Sequence, residues 1–391
     1  MKHNQETSFY GLQFWLLCAS SFLFFASFNM LIPELPNYIT SLGGEKYKGF
    51  IIAIFTLSAG LSRPFSGKLA DTIGRMPVMI VGVVVCFLIG FLYPVLTSVS
   101  GFLLLRFFHG FSTGFKPTGT VAYLADIVPI NRRGEAMGII GMMGSFGMAA
   151  GPAVGSWIAE SYGINMMFYT SSGVALLSIL VLIGMKETLP NKQTMKFGLL
   201  KISMDDVYEP RVIKPSVVFL LTAISFGTIL IIIPDYSEYL GVKNKGLFFA
   251  VFTISSIVIR VLGGRASDKY GREIVIKIAA IGLTLALLLL ALSPTKTYFI
   301  VSAIIFGLSV GLNAPNIFAW AVDLSDEKHR GRAMSTVYIA LEIGIGGGAL
   351  LSSWLYANNS ENFQQMFLVC SAFSFAAFLF LMFSNSKKQN V

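Results

Sequence analysis

The stretch GKLADTIGR at residues 67–75 recurs, with its glycines, aspartate and final arginine in place, as GRASDKYGR at residues 264–272. A second stretch, DIVPINRRG at residues 126–134, recurs as DLSDEKHRG at residues 323–331, and both repeats are offset by the same 197 residues. Because one offset relates stretches that lie far apart, the sequence predicts two structurally equivalent halves. The same offset pairs Arg63 with Arg260, Gly110 with Gly307, Gly114 with Gly311, and Ser156-Trp157 with Ser353-Trp354.

The composition is that of a membrane protein. The 391 residues are 54% hydrophobic and 13% charged, whereas soluble domains carry about 25% charged residues. Apolar runs of about twenty residues, long enough to cross a bilayer, recur along the chain. They predict an all-α membrane protein with twelve transmembrane helices in two pseudo-symmetric six-helix bundles. The predicted spans cover residues 12–33, 49–70, 77–96, 99–123, 134–160, 165–186, 213–234, 246–263, 273–292, 297–322, 331–357 and 362–384.

One long polar stretch, rich in lysine, separates spans six and seven. It predicts a first bundle over residues 1–186, a cytoplasmic linker over 187–212 and a second bundle over 213–391. Lysine and arginine concentrate in the loops on the side of the two termini, which predicts cytoplasmic termini in a cell (plasma or inner) membrane. The net charge of +9 is thereby explained by topology and anionic lipid, and we expect no nucleic-acid partner.

The loop at residues 67–75 resembles the signature loop of the major facilitator superfamily, in which glycine, three residues, aspartate, two residues, glycine and arginine follow one another. Residues 264–272 resemble the weaker copy in the other half of that family. The resemblance covers nearly the whole chain. It implies a transporter that works by alternating access between its two bundles.

In that family, charged residues at these positions form a network on the cytoplasmic side. The resemblance therefore implies that Arg75 pairs with Asp126 and Asp71 with Arg133, in contacts that separate when the transporter changes state. A static surface ion pair is the alternative. The candidate gate residues are Asp71, Arg75, Asp126, Arg133, Asp268, Arg272, Asp323 and Arg330.

Span five carries glycines at helical spacing, and Gly147, Gly151 and Gly155 lie on one face with Pro152 beside them. A glycine face lets another helix approach closely. The arrangement resembles the fifth-span motif seen mainly in antiporters of the superfamily, with Ser156 in place of the usual last glycine. It favours export, and close packing without a transport direction is the alternative.

Charge inside a membrane span is costly, so it marks the expected substrate and proton path. Arg106 in span four resembles the superfamily arginine that is linked to proton transfer. Arg106, Thr113 and Pro117 share one helical face, which we expect to look into a central cavity, with His109 and Lys116 on its shoulder.

Glu342 lies near the middle of span eleven, in the opposite half from Lys116. We predict that these two residues pair across the cavity in one state. A partner for Glu342 within its own bundle is the alternative. The other candidates for the path are Glu34 and Asp235, which follow matched Ile-Pro pairs at the external side, and the polar residues Asn29, Asn313 and Asn316.

These features predict a secondary active transporter that exports a small organic or amphipathic compound in exchange for protons, with Glu342 and then Glu34 as the candidate proton sites. A proton symporter that imports a nutrient is the alternative in the same class. A polytopic membrane enzyme is a third hypothesis, disfavoured because the loops offer no catalytic cluster. We expect no metal or cofactor, the proton gradient as energy source, a small-molecule substrate and lipid as partners, and a monomer.

Overall fold

The computed structural model describes residues 10–129, 132–190, 192–196, 201–202, 207–263, 266–325 and 330–384. These residues form twelve long helices and no strand, so the predicted all-α fold is confirmed. The helices are α1 (Leu12–Leu31), α2 (Lys48–Thr72), α3 (Arg75–Leu92), α4 (Val99–Ile127), α5 (Arg133–Tyr162), α6 (Ile164–Ile183), α7 (Ile213–Tyr239), α8 (Leu247–Gly263), α9 (Arg272–Leu292), α10 (Lys296–Leu324), α11 (Arg330–Tyr356) and α12 (Phe363–Phe383).

The helices have the length and the surface that a bilayer requires. A helix of twenty residues, such as α1, covers about 30 Å, the thickness of the hydrocarbon core. Ten of the described helices are long and apolar enough to cross a membrane. Large apolar side chains such as Leu12, Trp354 and Phe383 are 72%, 77% and 81% exposed, as expected of a surface that faces lipid.

The two halves pack by the same scheme. In the first half α1 packs on α5 and α6, α2 on α4, and α3 on α4 and α6; in the second half the equivalent helices make the equivalent contacts. The two most extensive contacts between the halves are α2 with α11 and α5 with α8, and the repeat interchanges these two contacts. The predicted pair of pseudo-symmetric six-helix bundles is therefore confirmed.

Glycines set the closest of these contacts. A Cβ added at Gly147 or Gly151 would lie 2.5 Å from the carbonyl oxygen of Phe22 or Ala26 on α1, and Gly155 approaches the Met30 carbonyl more closely still. The predicted glycine face of α5 thus packs on α1, where a larger side chain would separate the helices. Pro152 instead contacts Gly246, at the start of α8 in the other bundle.

Several helix ends differ by a few residues from the predicted spans, and two of the differences have a local reason. α3 ends at Leu92 instead of residue 96, because Pro94 has no backbone N–H to continue the hydrogen-bond pattern of the helix. α7 continues past Pro234 to Tyr239; the polar residues after Pro234 ended the apolar signal but not the helix. Asp235 therefore lies inside the last turns of α7. We call the end of the bundles where α1 begins and α12 ends the terminus side, and the other end the far side.

Candidate functional site: the cavity between the bundles

A cavity of about 400 Å³ lies between the two bundles and is bordered by helices of both. Aromatic rings form much of its wall, including Phe55 of α2, Phe226 of α7 and Phe252 of α8. An apolar wall with a few polar groups is typical of a site for a small organic molecule. The charged side chains on its border are Arg63, Arg106, Arg260 and Glu342.

Glu342 pairs with Arg63, across the boundary between the bundles. Arg63 Nη2 of α2 donates to Glu342 Oε1 of α11 over 2.7 Å, and the two side chains are 13% and 11% exposed. The guanidinium also lies 4.1 Å from the centroid of the Tyr338 ring, a cation–π contact that adds to the pair. The residue that faces Glu342 from the first half is therefore Arg63.

The predicted pair between Lys116 and Glu342 is not formed in this conformation. Lys116 is fully buried inside the first bundle, where its Nζ donates to Ser21 Oγ over 2.7 Å. Its neighbour Pro117 borders the cavity. One residue along a helix turns the side-chain direction by about 100°, so Lys116 points towards α1 instead.

His109 is also placed inside the first bundle and not at the cavity. Its Nδ1 lies 3.0 Å from Tyr93 Oη and its Nε2 lies 3.4 Å from Cys86 Sγ. His109 and Lys116, beside the predicted face of α4, therefore pack inside the first bundle, whereas Arg106, Thr113 and Pro117 border the cavity.

Arg106 is held by the first bundle. Its Nε donates to the Ile51 carbonyl over 2.9 Å, its Nη1 donates to Tyr93 Oη over 3.3 Å, and its guanidinium lies 4.4 Å from the centroid of the Phe55 ring. Two hydrogen bonds and an aromatic face fix this cation at the cavity wall, with only 2% of its surface exposed.

A second hydrogen bond joins the bundles at the level of the cavity. Arg260 Nη1 of α8 donates to Ser145 Oγ of α5 over 3.1 Å. Arg260 follows Arg63 by 197 residues, and Ser145 precedes Glu342 by the same number. The two cross-bundle contacts are thus related by the repeat. The Nε atoms of both arginines are buried and have no hydrogen-bond partner among the residues that the structure describes.

Two of the three predicted asparagines border the cavity. Asn29 donates to the Phe25 carbonyl over 2.7 Å, and Asn313 donates to Thr222 Oγ1 over 2.8 Å. The Oδ1 atom of Asn313 is buried and accepts no hydrogen bond from the described part of the chain. Asn316 does not border the cavity, and its side chain donates to the Leu312 carbonyl of its own helix.

The bundles are joined at the far side. Lys48 at the start of α2 pairs with Asp235 of α7 at 2.5 Å, and Asn37 donates to Glu238 over 3.3 Å. The amide nitrogen of Gly49 also donates to Ser353 Oγ. Asp235 therefore lies in a set of contacts that joins the two bundles at the far side.

Glu34 stays within its own bundle. It accepts a hydrogen bond from Ser156 of α5 over 2.8 Å and does not border the cavity. The matched Ile-Pro-acid segments of the two halves therefore differ in structure. In the first half α1 ends at Leu31 and a short helix over Leu35–Ser41 follows, whereas α7 continues through the matching segment of the second half.

The predicted contact between Arg75 and Asp126 is present at the terminus side. Arg75 Nε lies 3.1 Å from Asp126 Oδ2, and Arg75 Nη1 lies 2.6 Å from Asp71 Oδ1. The equivalent contact of the second half joins Arg272 Nε to Asp323 Oδ2, also over 3.1 Å. The side chains of Arg133, Asp268 and Arg330 lie outside the part of the chain that the structure describes, and so does the predicted pair of Asp71 with Arg133.

Glu187 is a member of this network that the sequence reasoning missed. Its carboxylate accepts hydrogen bonds from the backbone nitrogens of Arg75 and Met76, the first residues of α3, over 3.1 and 3.0 Å. Burial raises the pKa of Glu187, but hydrogen bonds from the backbone N–H groups of Leu189, Arg75, Met76 and Thr188 outweigh it and lower that pKa. Thr188 Oγ1 in turn donates to Asp126 over 2.6 Å. Only the fold brings Glu187 to this helix end, so no local signal marks it.

Two pseudo-symmetric six-helix bundles around a central cavity define the architecture of a secondary transporter. The chain belongs to the Major Facilitator Superfamily, whose family model matches residues 17–214 and again residues 215–391. It is accordingly a multi-pass integral membrane protein that transports a solute, and not an enzyme.

Relatives in two bacteria carry names that refer to drug resistance. Multidrug resistance protein 2 of Bacillus subtilis (strain 168) is 27% identical over 307 residues, which are 75% of this chain and 76% of the relative. Multidrug resistance protein MdtG of Escherichia coli O17:K52:H18 is 26% identical over 369 residues, 91% of this chain and 89% of the relative. The crystal structure of the human organic anion transporter MFSD10 (TETRAN) shares the fold, with a TM-score of 0.73 and 18% identity over 94% of this chain and 98% of that one.

Proposed function

We propose that the protein exports a small amphipathic organic compound in exchange for protons. The cavity carries this proposal, because it combines an aromatic wall with the ion pair of Arg63 and Glu342 between the two bundles that must move. The relatives named multidrug resistance proteins support export. The bias of lysine and arginine towards the terminus side supports an orientation with cytoplasmic termini in the cell membrane.

Glu342 is the proposed proton site. A proton on its carboxylate removes the charge that holds Arg63, and a buried pair that loses one charge becomes unfavourable. The contact between α2 and α11 then weakens, which allows the bundles to tilt. Binding of a proton and binding of the substrate thereby favour different states of one two-state element, which is the requirement for coupling.

The far side must open for release of the substrate to the outside. Opening separates Lys48 from Asp235, whose side chains are 9% and 8% exposed in the closed gate. Water then reaches both charges, so their separation does not carry the desolvation cost of an unpaired charge in a buried site. The network of Asp71, Arg75 and Asp126 on the terminus side is formed while the far side is closed, and we propose that its contacts separate when the far side opens.

Proteoliposomes with an imposed pH gradient and an internal pH dye test this function. Drug-like amphiphiles added to the wild-type protein are expected to dissipate the gradient, and Glu342→Gln is expected to abolish that proton flux. Glu361→Gln is the matched control, because Glu361 is exposed in the turn before α12.

Three other results would contradict parts of the proposal. Undiminished proton flux in Glu342→Gln would place the proton site elsewhere, with Glu34 as the next candidate. Accumulation of the compound on the side to which protons move would indicate symport and import. Absence of flux with every compound would contradict proton coupling as a whole.

A further inference from the structure

Two cross-bundle contacts at the cavity are related by the internal repeat. We call the contact of Arg63 with Glu342 the first junction and the contact of Arg260 with Ser145 the second junction. In each, an arginine of the second helix of one bundle meets the fifth helix of the other bundle. The backbone therefore builds the same cation site twice.

The two junctions differ in their acceptor. A carboxylate at position 342 neutralises Arg63, whereas the equivalent position 145 carries a hydroxyl. Among the residues that the structure describes, no carboxylate pairs with Arg260, and the buried Nε of Arg260 has no hydrogen-bond partner. A guanidinium held away from bulk water without a counter-charge is unfavourable and attracts an anion.

The second junction also has room for an anion. Arg260 and Ser145 both border the cavity, and a serine side chain leaves free the volume that a glutamate would fill at the same position. Ser145 Oγ accepts its hydrogen bond from Arg260, so its own proton is available to a second acceptor. Guanidinium and hydroxyl thus present donors to one point in the cavity.

We propose that the second junction is the subsite for a carboxylate group of the substrate. The carboxylate occupies the place that Glu342 occupies at the first junction and pairs with Arg260, while it accepts a hydrogen bond from Ser145. Phe226 and Phe252, whose ring centroids lie 6.0 Å apart, border the same cavity and contact the apolar body. This assignment rests on the proposed transport of an amphipathic compound and narrows it to lipophilic carboxylates.

A bound carboxylate would also link the bundles. At the first junction the protein's own carboxylate connects α11 to α2; at the second, the substrate's carboxylate connects α5 to α8 through Arg260. Occupancy of the site therefore stabilises the conformation in which the bundles are close at this level. A ligand shifts such an equilibrium only through a contact that differs between the two states. The proposed carboxylate contact differs in this way, because it links α5 to α8 only while the two helices are close.

Thermal unfolding of the purified protein in detergent tests the subsite. The probes are naphthoate, biphenylcarboxylate and indole carboxylate, each compared with its primary amide, which keeps the shape and removes the charge. We expect the carboxylates to raise the melting temperature more than their amides and to bind about tenfold or more tightly, as a charge-assisted pair implies.

Ser145→Glu is the decisive variant, because it places a carboxylate of the protein in the subsite. We expect it to fold, to melt at a higher temperature than the wild type without ligand, and to show no preference for carboxylates over amides. Ser145→Ala is the matched control and is expected to keep most of that preference. A melting temperature of Ser145→Glu above that of the wild type would show that its loss of carboxylate preference comes from an occupied subsite and not from a damaged fold.

Equal stabilisation by carboxylates and amides in the wild type would overturn the subsite, and so would a carboxylate preference that persists in Ser145→Glu. Proton flux in proteoliposomes separates this failure from failure of the proposed function. Flux driven by neutral or cationic amphiphiles without any carboxylate preference would contradict the subsite and leave the proposed function standing. Carboxylate preference without proton flux would contradict proton coupling and leave the subsite standing.

Discussion

The first junction holds a carboxylate between the bundles, and the second junction holds a hydroxyl at the equivalent position. Equivalent helices meet at the two sites, since α2 contacts α11 and α8 contacts α5. The comparison shows that the repeat sets which helices meet between the bundles. A single side chain at each junction then decides whether the arginine has a counter-charge. One junction is complete within the protein, and the other presents a cation to the cavity.

The terminus side shows the same division. The pairs of Arg75 with Asp126 and of Arg272 with Asp323 have equal lengths of 3.1 Å. Glu187 adds a cap to α3 in the first half, whereas the residue 197 positions later is Ser384. The backbone repeat again carries side chains that differ between the halves.

The largest effect is expected from loss of the carboxylate at the first junction. Glu342→Gln should abolish proton-coupled transport and lower the free energy of unfolding by up to about 3 kcal/mol, because Arg63 is left in a site that excludes most water. The double variant Arg63→Gln/Glu342→Gln should recover most of the stability without recovering transport. Thermal unfolding and flux measured on the same preparations check this, and additive losses of stability would show that the two residues are not coupled.

A smaller effect should distinguish the two terminus-side loops. Arg75 contacts two carboxylates and the Ala70 carbonyl and is 13% exposed, whereas Arg272 is 27% exposed. Arg75→Gln should therefore slow transport several-fold more than its matched counterpart Arg272→Gln, since an exposed pair contributes only about 0–1 kcal/mol. Initial rates in proteoliposomes measure this difference, and equal rates in the two variants would contradict the asymmetry between the loops.

The smallest effect concerns the pH dependence of stability. The backbone N–H groups at the start of α3 hold the pKa of Glu187 below its ordinary value of 4.5 in the folded protein. Its stabilisation is therefore complete above the pKa of the unfolded chain and is lost as the pH falls through the folded pKa. The wild type should lose about 1 kcal/mol more than Glu187→Gln on acidification, the usual contribution of a helix cap. Melting curves between pH 6 and pH 3 measure it, and parallel losses would exclude the cap.

The fold could be predicted from the sequence because bilayer thickness sets the length of an apolar run and the offset of 197 residues reveals the repeat. The pair of Arg75 with Asp126 could be predicted because a family motif carries it. The first junction was missed, although Arg63 and Arg260 are charges inside predicted spans and that signal was available. In this conformation Glu342 pairs with Arg63 and not with Lys116. Residue spacing predicts a helical face but not how that face is rotated against its neighbours, so it could not show that Lys116 lies inside the bundle.

The exchange variant Ser145→Glu/Glu342→Ser tests the central comparison most directly, because it moves the carboxylate from the first junction to the second without changing the net charge. Its thermal unfolding in detergent should be compared with that of Glu342→Ser alone. If the repeat builds two equivalent cation sites, the exchange should restore most of the melting temperature that Glu342→Ser loses, since Arg260 then has an internal counter-charge. An exchange variant that melts as low as Glu342→Ser would contradict the equivalence of the two junctions.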